Sequence, residues 1–111
     1  MSIAVGDIPF EEERARYRHG PLTVVLSEGA GPPLVDGGPR VRYLRAVAFE
    51  TDERAPAAEF LCAPEWDAFG AVELWATVGT AKLPVERLDT MLEPSAFRAR
   101  VDSMLGLRWP T

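Results

Sequence analysis

The residue types that most often act as acids, bases or nucleophiles are scarce in this sequence. His19 is its single histidine and Cys62 its single cysteine. A histidine titrates near neutral pH and can move a proton, and a cysteine whose pKa is lowered can act as a nucleophile. His19 stands beside Gly20 and Pro21, which favours a surface turn, while the apolar stretch 60–63 favours a buried and inert Cys62. A reactive dyad of Cys62 and His19 is therefore the weaker of two open interpretations.

Metal chemistry has little support in the pattern of residues. A single histidine and a single cysteine leave no spacing of the zinc-binding type. Carboxylates do occur in close pairs, at Glu50 and Asp52, Glu65 and Asp67, and Asp89 and Glu93. On a helix the last pair would share one face, where like charges can raise a pKa or hold a divalent ion. A solvated surface is the commoner explanation, and we expect neither a metal nor a cofactor.

The segment 29–40, GAGPPLVDGGPR, concentrates glycine and proline between two apolar stretches. A P-loop requires lysine and then serine or threonine after its last glycine, but Pro39 and Arg40 follow Gly38. A dinucleotide-binding loop would have glycine in place of Leu34 and would lead into a helix. The segment is therefore predicted to be a long hairpin loop. No Gly-x-Ser-x-Gly sequence occurs, which argues against a serine hydrolase of that type.

Tryptophan is the residue type that most suggests binding, because it combines a large apolar surface with one polar N–H group and is enriched at interfaces. The sequence has three, Trp66, Trp75 and Trp109. Trp75 lies between Glu73 and Thr77 on the more polar side of a predicted strand, so it is either an exposed anchor or, if helices cover that side, part of the core. Arg42 and Leu44 on a neighbouring strand are predicted to form a partly apolar patch with Trp75.

Strands are predicted in the first two thirds of the chain. Apolar and β-branched patterns place them at 22–27, 41–50, 57–62 and 72–79, with a short continuation over 80–83. Residues 9–18 have acids before bases, which predicts a short helix, although the alternation of Ala15 and Tyr17 also fits an edge strand. A single helical turn is predicted over 64–70, between a proline and a glycine.

Helices are predicted near the end of the chain. Apolar residues recur at helical spacing over 85–92 and again over 95–105, which predicts a helical hairpin packed on the sheet. Residues 107–111 either pack through Leu107 and Trp109 or form a free tail.

These elements predict one α+β domain over residues 1–111. Because strands precede helices, the fold is expected to be a small twisted, mostly antiparallel sheet or open β-barrel of about four to five strands, packed by a C-terminal helical pair. The first residues lack the regions of a secretory signal, and no run reaches the roughly 18 apolar residues of a membrane helix. One cysteine cannot form an internal disulfide, so a cytoplasmic location is expected.

The charge and the residue inventory lead to three hypotheses about function. The net charge of −5 argues against nucleic acid as a partner, and nothing predicts a membrane partner. The leading hypothesis is a small binding or adaptor protein that acts through protein contact, including self-association as a homodimer. The second is a small-molecule-binding protein or enzyme with a pocket between sheet and helices. The third is an acidic inhibitor of the immunity or antitoxin type, whose complexes would depend on salt.

Overall fold

A computed structural model of the chain describes residues 11–33, 37–38, 40–50, 55–64 and 72–110. These residues form an antiparallel sheet and one helix. The elements are β1 (Glu11–His19), β2 (Leu22–Pro33), β3 (Arg40–Glu50), β4 (Ala58–Pro64), β5 (Val72–Val78), β6 (Ala81–Lys82), β7 (Glu86–Leu88) and α1 (Pro94–Leu105). Among the described residues, no helix is long and apolar enough to cross a membrane.

Strands β1 to β6 lie side by side in the order of the sequence, β7 pairs with β5, and every pair is antiparallel. Short reversals make this meander possible; for example, Gly20 takes a φ of 56° in the turn from β1 to β2, a backbone conformation that favours glycine. Along the outer edge of β5, β6 pairs with Thr77 and Val78 and β7 pairs with residues 72–74. The sheet is therefore open, with β1 at one edge and the short strands at the other.

Alternation along the strands gives the sheet two faces. On the face that α1 covers, here called the helix face, buried side chains from β2 to β5 form the core together with Phe97, Val101 and Leu105 of α1. The strand residues of this core are Leu22, Val24, Leu26, Leu44, Ala46, Ala48, Ala58, Phe60, Cys62, Val72, Leu74, Ala76 and Val78. We call the opposite side the far face.

The α+β class, the antiparallel sheet and the helix over 95–105 are confirmed, but the helical pair is wrong. Residues 86–88 form β7, because they complete the hydrogen bonding of β5, with Val72 opposite Leu88 and Leu74 opposite Glu86. Asp89 and Glu93 consequently do not lie on a helix. The described residues form seven strands, more than the four to five expected, and they do not close into a barrel.

The short helix predicted over 9–18 is also wrong, since residues 11–19 form β1. Ala15 and Tyr17 lie opposite Leu26 and Val24 and pack against the core. The segment has too few apolar residues at helical spacing to dock a helix, whereas a strand needs only every second residue. Its acids and bases still form an ion pair, Glu13 with Arg16 at 2.7 Å, next to a bulge between Glu13 and Ala15.

The glycine-proline hairpin loop is shorter than the expected 29–40, because β2 continues through Pro33 and β3 begins at Arg40. Gly29 lies opposite Tyr43 and Gly31 opposite Val41. The helical turn predicted over 64–70 starts at the last residue of β4, and its remaining residues lie outside the described ranges.

Gly29 is required by the side chain that lies over it. A Cβ atom at position 29 would lie 2.7 Å from Cε1 of Tyr43 and closer still to its Cζ and Oη. The absent side chain thus makes room for the aromatic ring on the far face.

Replacing Gly29 by alanine is expected to destabilise the protein by about 1–3 kcal/mol, since the Tyr43 ring must move away from its hydrogen-bond partner. Gly31→Ala is the matched control, because its Cβ would meet nothing closer than the Val41 carbonyl oxygen at 3.7 Å. Urea unfolding of both variants measures the difference. Equal midpoints for the two variants would contradict this role of Gly29.

Candidate functional site

The far face is exposed where β4 and β5 lie side by side. Trp75 of β5 is 49 % exposed, although the residues on either side of it in the strand, Leu74 and Ala76, are buried. A shallow cavity of about 190 Å³ lies beside it. We call this cavity the Trp75 groove; its walls include Arg45, Glu59, Leu61, Trp75 and Thr77.

The register of the sheet builds the groove from three strands. Trp75 lies opposite Leu61, and Leu61 lies opposite Arg45. Side chains directly opposite in an antiparallel pair share one face at a Cβ separation of about 5 Å, so these residues form a continuous row. Glu59 and Thr77 form the next row. The result is an apolar centre with charged and polar neighbours.

Arg45 is held at one end of the groove by a buried carboxylate. Its Nε donates a hydrogen bond of 2.9 Å to Oε1 of Glu11, and its Nη2 lies 2.9 Å from the same oxygen. Nη2 is buried and has no hydrogen-bond partner within the described part of the chain. Its contact with Glu11 is therefore an ionic contact that lacks hydrogen-bond geometry. The Glu11 side chain is 1 % exposed. The positive charge of Arg45 is therefore already neutralised.

Tyr43 completes this partly buried cluster of Glu11, Tyr43 and Arg45. Its hydroxyl donates a hydrogen bond of 2.6 Å to Oε2 of Glu11. Burial of the phenol, and then the hydrogen bond to the Glu11 carboxylate and its negative charge, raise the pKa of Tyr43 to about 12, against a smaller opposing effect of Arg45. Since Glu11 begins β1 and the other two residues belong to β3, the cluster ties these strands together across β2.

Glu59 leaves the groove with an uncompensated negative charge. Among the described residues, none places a cationic nitrogen within 4 Å of its carboxylate. With Arg45 neutralised by Glu11, the lining of the groove is acidic as well as apolar.

The patch predicted from Arg42, Leu44 and Trp75 does not form. Leu44 is 3 % exposed and lies in the core on the helix face, and Arg42 is exposed on the same side, paired with Glu28. Trp75 points to the far face, because it shares a row with Arg45 rather than Leu44. A one-residue difference in register separates the two faces. Trp66, also predicted to bind, lies outside the described residues.

Trp109 and His19 meet at the end of α1. Trp109 packs against the core, and its carbonyl oxygen lies 2.9 Å from Nε2 of His19. Nδ1 of His19 lies 3.7 Å from Oδ1 of Asp102, and that oxygen accepts a 2.5 Å hydrogen bond from Tyr17. His19 is 9 % exposed, so the expectation of a surface turn is wrong.

The contacts of His19 hold the segment after α1 against β1, and they do not leave the imidazole available as a general base. Nε2 of His19 is occupied by a backbone carbonyl, and burial raises the pKa of Tyr17, followed by its hydrogen bond to Asp102 and the charge of that residue. Of the two alternatives for residues 107–111, packing applies at Trp109, while Leu107 is 80 % exposed.

Cys62 is fully buried, and the structure does not bring it to His19. Its Sγ lies 3.9 Å from the sulfur of Met91, and burial raises the pKa of its thiol, against a smaller effect of a backbone hydrogen bond at Leu92. His19 lies on β1 and Cys62 on β4, three spacings of about 4.8 Å away. Their rows also meet β2 at different positions, that of His19 at Leu22 and that of Cys62 at Glu28. Among the described residues, no three His, Cys, Asp or Glu side chains cluster to hold a metal ion.

Sequence reasoning missed Glu11, Tyr43, Arg45 and Leu61. The alternation in β3 placed Tyr43 and Arg45 on one side, but the partners of that side depend on strand register. Neither the sequence nor the fold has a match among protein-family models, curated proteins or solved structures.

Both tyrosines are expected to resist ionisation in the folded protein, because burial favours the neutral phenol at Tyr17 and Tyr43. Unfolded tyrosine titrates near pH ~10. The neutral phenols therefore contribute stability that is complete below about pH 10 and is lost as the pH rises through the folded values, which for Tyr43 means about 12. Absorbance at the phenolate band measures this, with the protein in urea as reference. A titration midpoint of the folded protein near pH ~10, equal to that of the protein in urea, would contradict it.

The thiol of Cys62 is expected to be inert, because it is buried and its pKa is raised. A disulfide reagent at neutral pH should label native protein at least about 100-fold more slowly than protein in denaturant. Rapid labelling of the native protein, with a rate that levels off below neutral pH, would instead show an activated thiolate.

Proposed function

We propose that this chain is a small protein-binding module, and that its Trp75 groove receives an apolar side chain of a partner protein that is flanked by lysine or arginine. The observation that carries the proposal is the 49 % exposure of Trp75 in a row with Leu61 and Arg45. A large aromatic side chain left in water is a cost that a partner can remove. Binding, rather than catalysis, is the activity that these groups support best.

The size of the effect follows from the aromatic side chain. A tryptophan at the centre of an interface typically accounts for about 2 kcal/mol or more of the binding free energy. The backbone of β5 pairs with β4 along its length. On its other side it pairs with β7 at 72–74 and with β6 at 77–78, so the strand that carries Trp75 is held on both sides of that residue. A rigid anchor loses little conformational entropy on binding.

The charge of the partner follows from Glu59 and from the whole chain. Glu59 lines the groove without a cationic neighbour, and the protein carries a net charge of −5. A basic neighbour of the apolar side chain would pair with Glu59, while an acidic one would be repelled. The proposal therefore combines two of the hypotheses: binding through protein contact, and the recognition of a basic partner by acidic groups. We propose that this binding takes place in the cytoplasm.

Trp75→Ala is expected to weaken partner binding by at least about 30-fold, which corresponds to about 2 kcal/mol, while leaving the free energy of unfolding within about 1 kcal/mol of the wild type. Leu107→Ala is the control, because Leu107 is an exposed apolar residue away from the groove. Calorimetric titration with the captured partner and urea unfolding give the two quantities. Equal loss of affinity in both variants would contradict a specific anchor.

A photo-crosslinking amino acid at Thr77, which lines the groove, identifies the partner; the same group at Leu107 is the matched control. A discrete adduct with a second protein, formed from Thr77, lost in Trp75→Ala and weakened by salt, supports the proposal. An adduct between two copies of this chain would replace the basic partner with a homodimer. Identical adducts from both positions, or none, would overturn the proposal.

A further inference from the structure

A second cavity lies between the sheet and the beginning of α1. Its volume is about 280 Å³, against about 190 Å³ for the Trp75 groove, with which it shares no lining residue. Its apolar walls come from Ala15, Leu26, Leu44 and Phe97. We call it the Arg98 cavity. Ligand pockets typically measure about 300–1,000 Å³, so an occupant must be small.

The charged groups on the walls of the Arg98 cavity have one sign. Within the described part of the chain, Arg14 and Arg98 line it and no acidic residue does. The protein as a whole has 17 acidic and 12 basic side chains, so the sign of charge in this cavity is opposite to the net charge of the protein. The cavity therefore combines apolar walls with cations, the two elements that an amphipathic anion requires.

Arg98 has capacity for a ligand. Its guanidinium carbon lies 3.8 Å from the centre of the Tyr17 ring, and no carboxylate of the described residues lies within 4 Å of its nitrogens. Arg98 also interacts with the Tyr17 hydroxyl, but a guanidinium has five N–H groups, and those not engaged by Tyr17 remain available for a carboxylate.

Arg14 is partly compensated. It lies 3.5 Å from a Glu12 oxygen and 3.4 Å from a Glu28 oxygen. Both contacts are too long for a good charged hydrogen bond, and Glu28 also pairs closely with Arg42. Arg14 is therefore the secondary cation of the cavity.

The first turn of α1 contributes N–H groups beside the cavity, while its N-cap residue, Glu93, contributes a negative charge. Pro94 and Ser95 line the cavity, the Glu93 side chain makes no capping hydrogen bond, and the first turn contains no acidic residue. The N–H groups of the first turn have no acceptor within the helix, and the helix dipole favours an anion there. The helix dipole therefore adds to the attraction of an anion by the arginines, but the cavity is defined without it.

We infer that the Arg98 cavity binds a small organic carboxylate with an apolar body, whose carboxylate pairs with Arg98 and whose body packs on Leu26, Leu44 and Phe97. This site is independent of the proposed protein-binding function, because it lies on the other face of the sheet. It gives the chain a second ligand class, a short-chain or aromatic carboxylate.

Octanoate is the probe, and octylammonium is its control of the same length and opposite charge. Methyl NMR is expected to show saturable shifts at Ala15, Leu26 and Leu44 with octanoate, at a dissociation constant near or below ~1 mM, and none at Leu61. Octylammonium is expected to leave these signals unchanged. Equal shifts with both probes, shifts centred on Leu61, or no saturable shift up to about 10 mM octanoate would overturn the inference.

Arg98→Gln is expected to weaken octanoate binding at least about tenfold. Arg100→Gln is the control, because Arg100 is on the same helix but pairs with Glu86 and does not line the cavity. The control should bind octanoate as the wild type does. Unchanged affinity in Arg98→Gln, or an equal loss in both variants, would contradict the role of Arg98.

Ser95→Asp separates binding from folding, because the two effects have opposite signs. An acid in the first turn stabilises a helix through the dipole, so the unfolding midpoint should rise or stay level while octanoate binding falls at least about tenfold. Ser95→Asn, without the charge, should retain octanoate binding. Octanoate binding that survives Ser95→Asp unchanged would contradict a site at this end of α1.

Trp75→Ala should also retain octanoate binding, because Trp75 does not line the Arg98 cavity. The proposal of a carboxylate site and the proposal of a protein-binding groove can therefore be rejected independently.

Discussion

One short helix can cover only one face of a sheet, and the rest of this structure follows from that constraint. At 12 residues, α1 is about 18 Å long. It buries Phe97, Val101 and Leu105 against the helix face and leaves the far face to be stabilised by other means. Backbone pairing in an antiparallel sheet does not require two covered faces, so the fold can leave part of the far face to water.

The far face is divided between a buried part and an exposed part. Over β2 and β3 it is closed, with Val25 and Val47 at 1 % and 2 % exposure and the cluster of Glu11, Tyr43 and Arg45. A buried ion pair gains little net stability over apolar packing, but removing one partner leaves a costly unpaired charge. We expect the cluster to contribute mainly specificity, since it holds the bulged strand β1 in register against β3.

The two candidate sites have different physical origins. The Trp75 groove exists because none of the described elements covers β4 and β5 at this point of the far face, while the Arg98 cavity exists because the start of α1 does not fill the space above Ala15, Leu26 and Leu44. Their charges also differ, since Glu59 gives the first an acidic character and Arg98 gives the second a basic one. The two proposed ligands therefore differ in charge, and their sites lie on opposite faces of the sheet.

Some elements of the fold follow from local sequence patterns, and others depend on tertiary contacts. The alternation over 41–50 and 72–78 and the proline and glycine around 94–106 sufficed to predict three elements, because strand period and helix ends depend on residues close in sequence. β7, at residues predicted to be helical, forms because it pairs with the edge of β5, and β1 forms because it pairs with Leu26 and Val24 of β2. These pairings join residues distant in the sequence, so no local pattern of apolar residues predicts them.

The sites divide in the same way. The sequence alone determined that Trp75 has polar neighbours, that Cys62 stands in an apolar stretch and that the chain is acidic. Only the tertiary structure decided that Trp75 is half-exposed beside Leu61, that Leu44 belongs to the other face, and that His19 is buried under the chain end. The physical reason is that a face of a sheet acquires its surroundings from strand register and from the position of α1, and both are set by contacts between residues far apart in the chain.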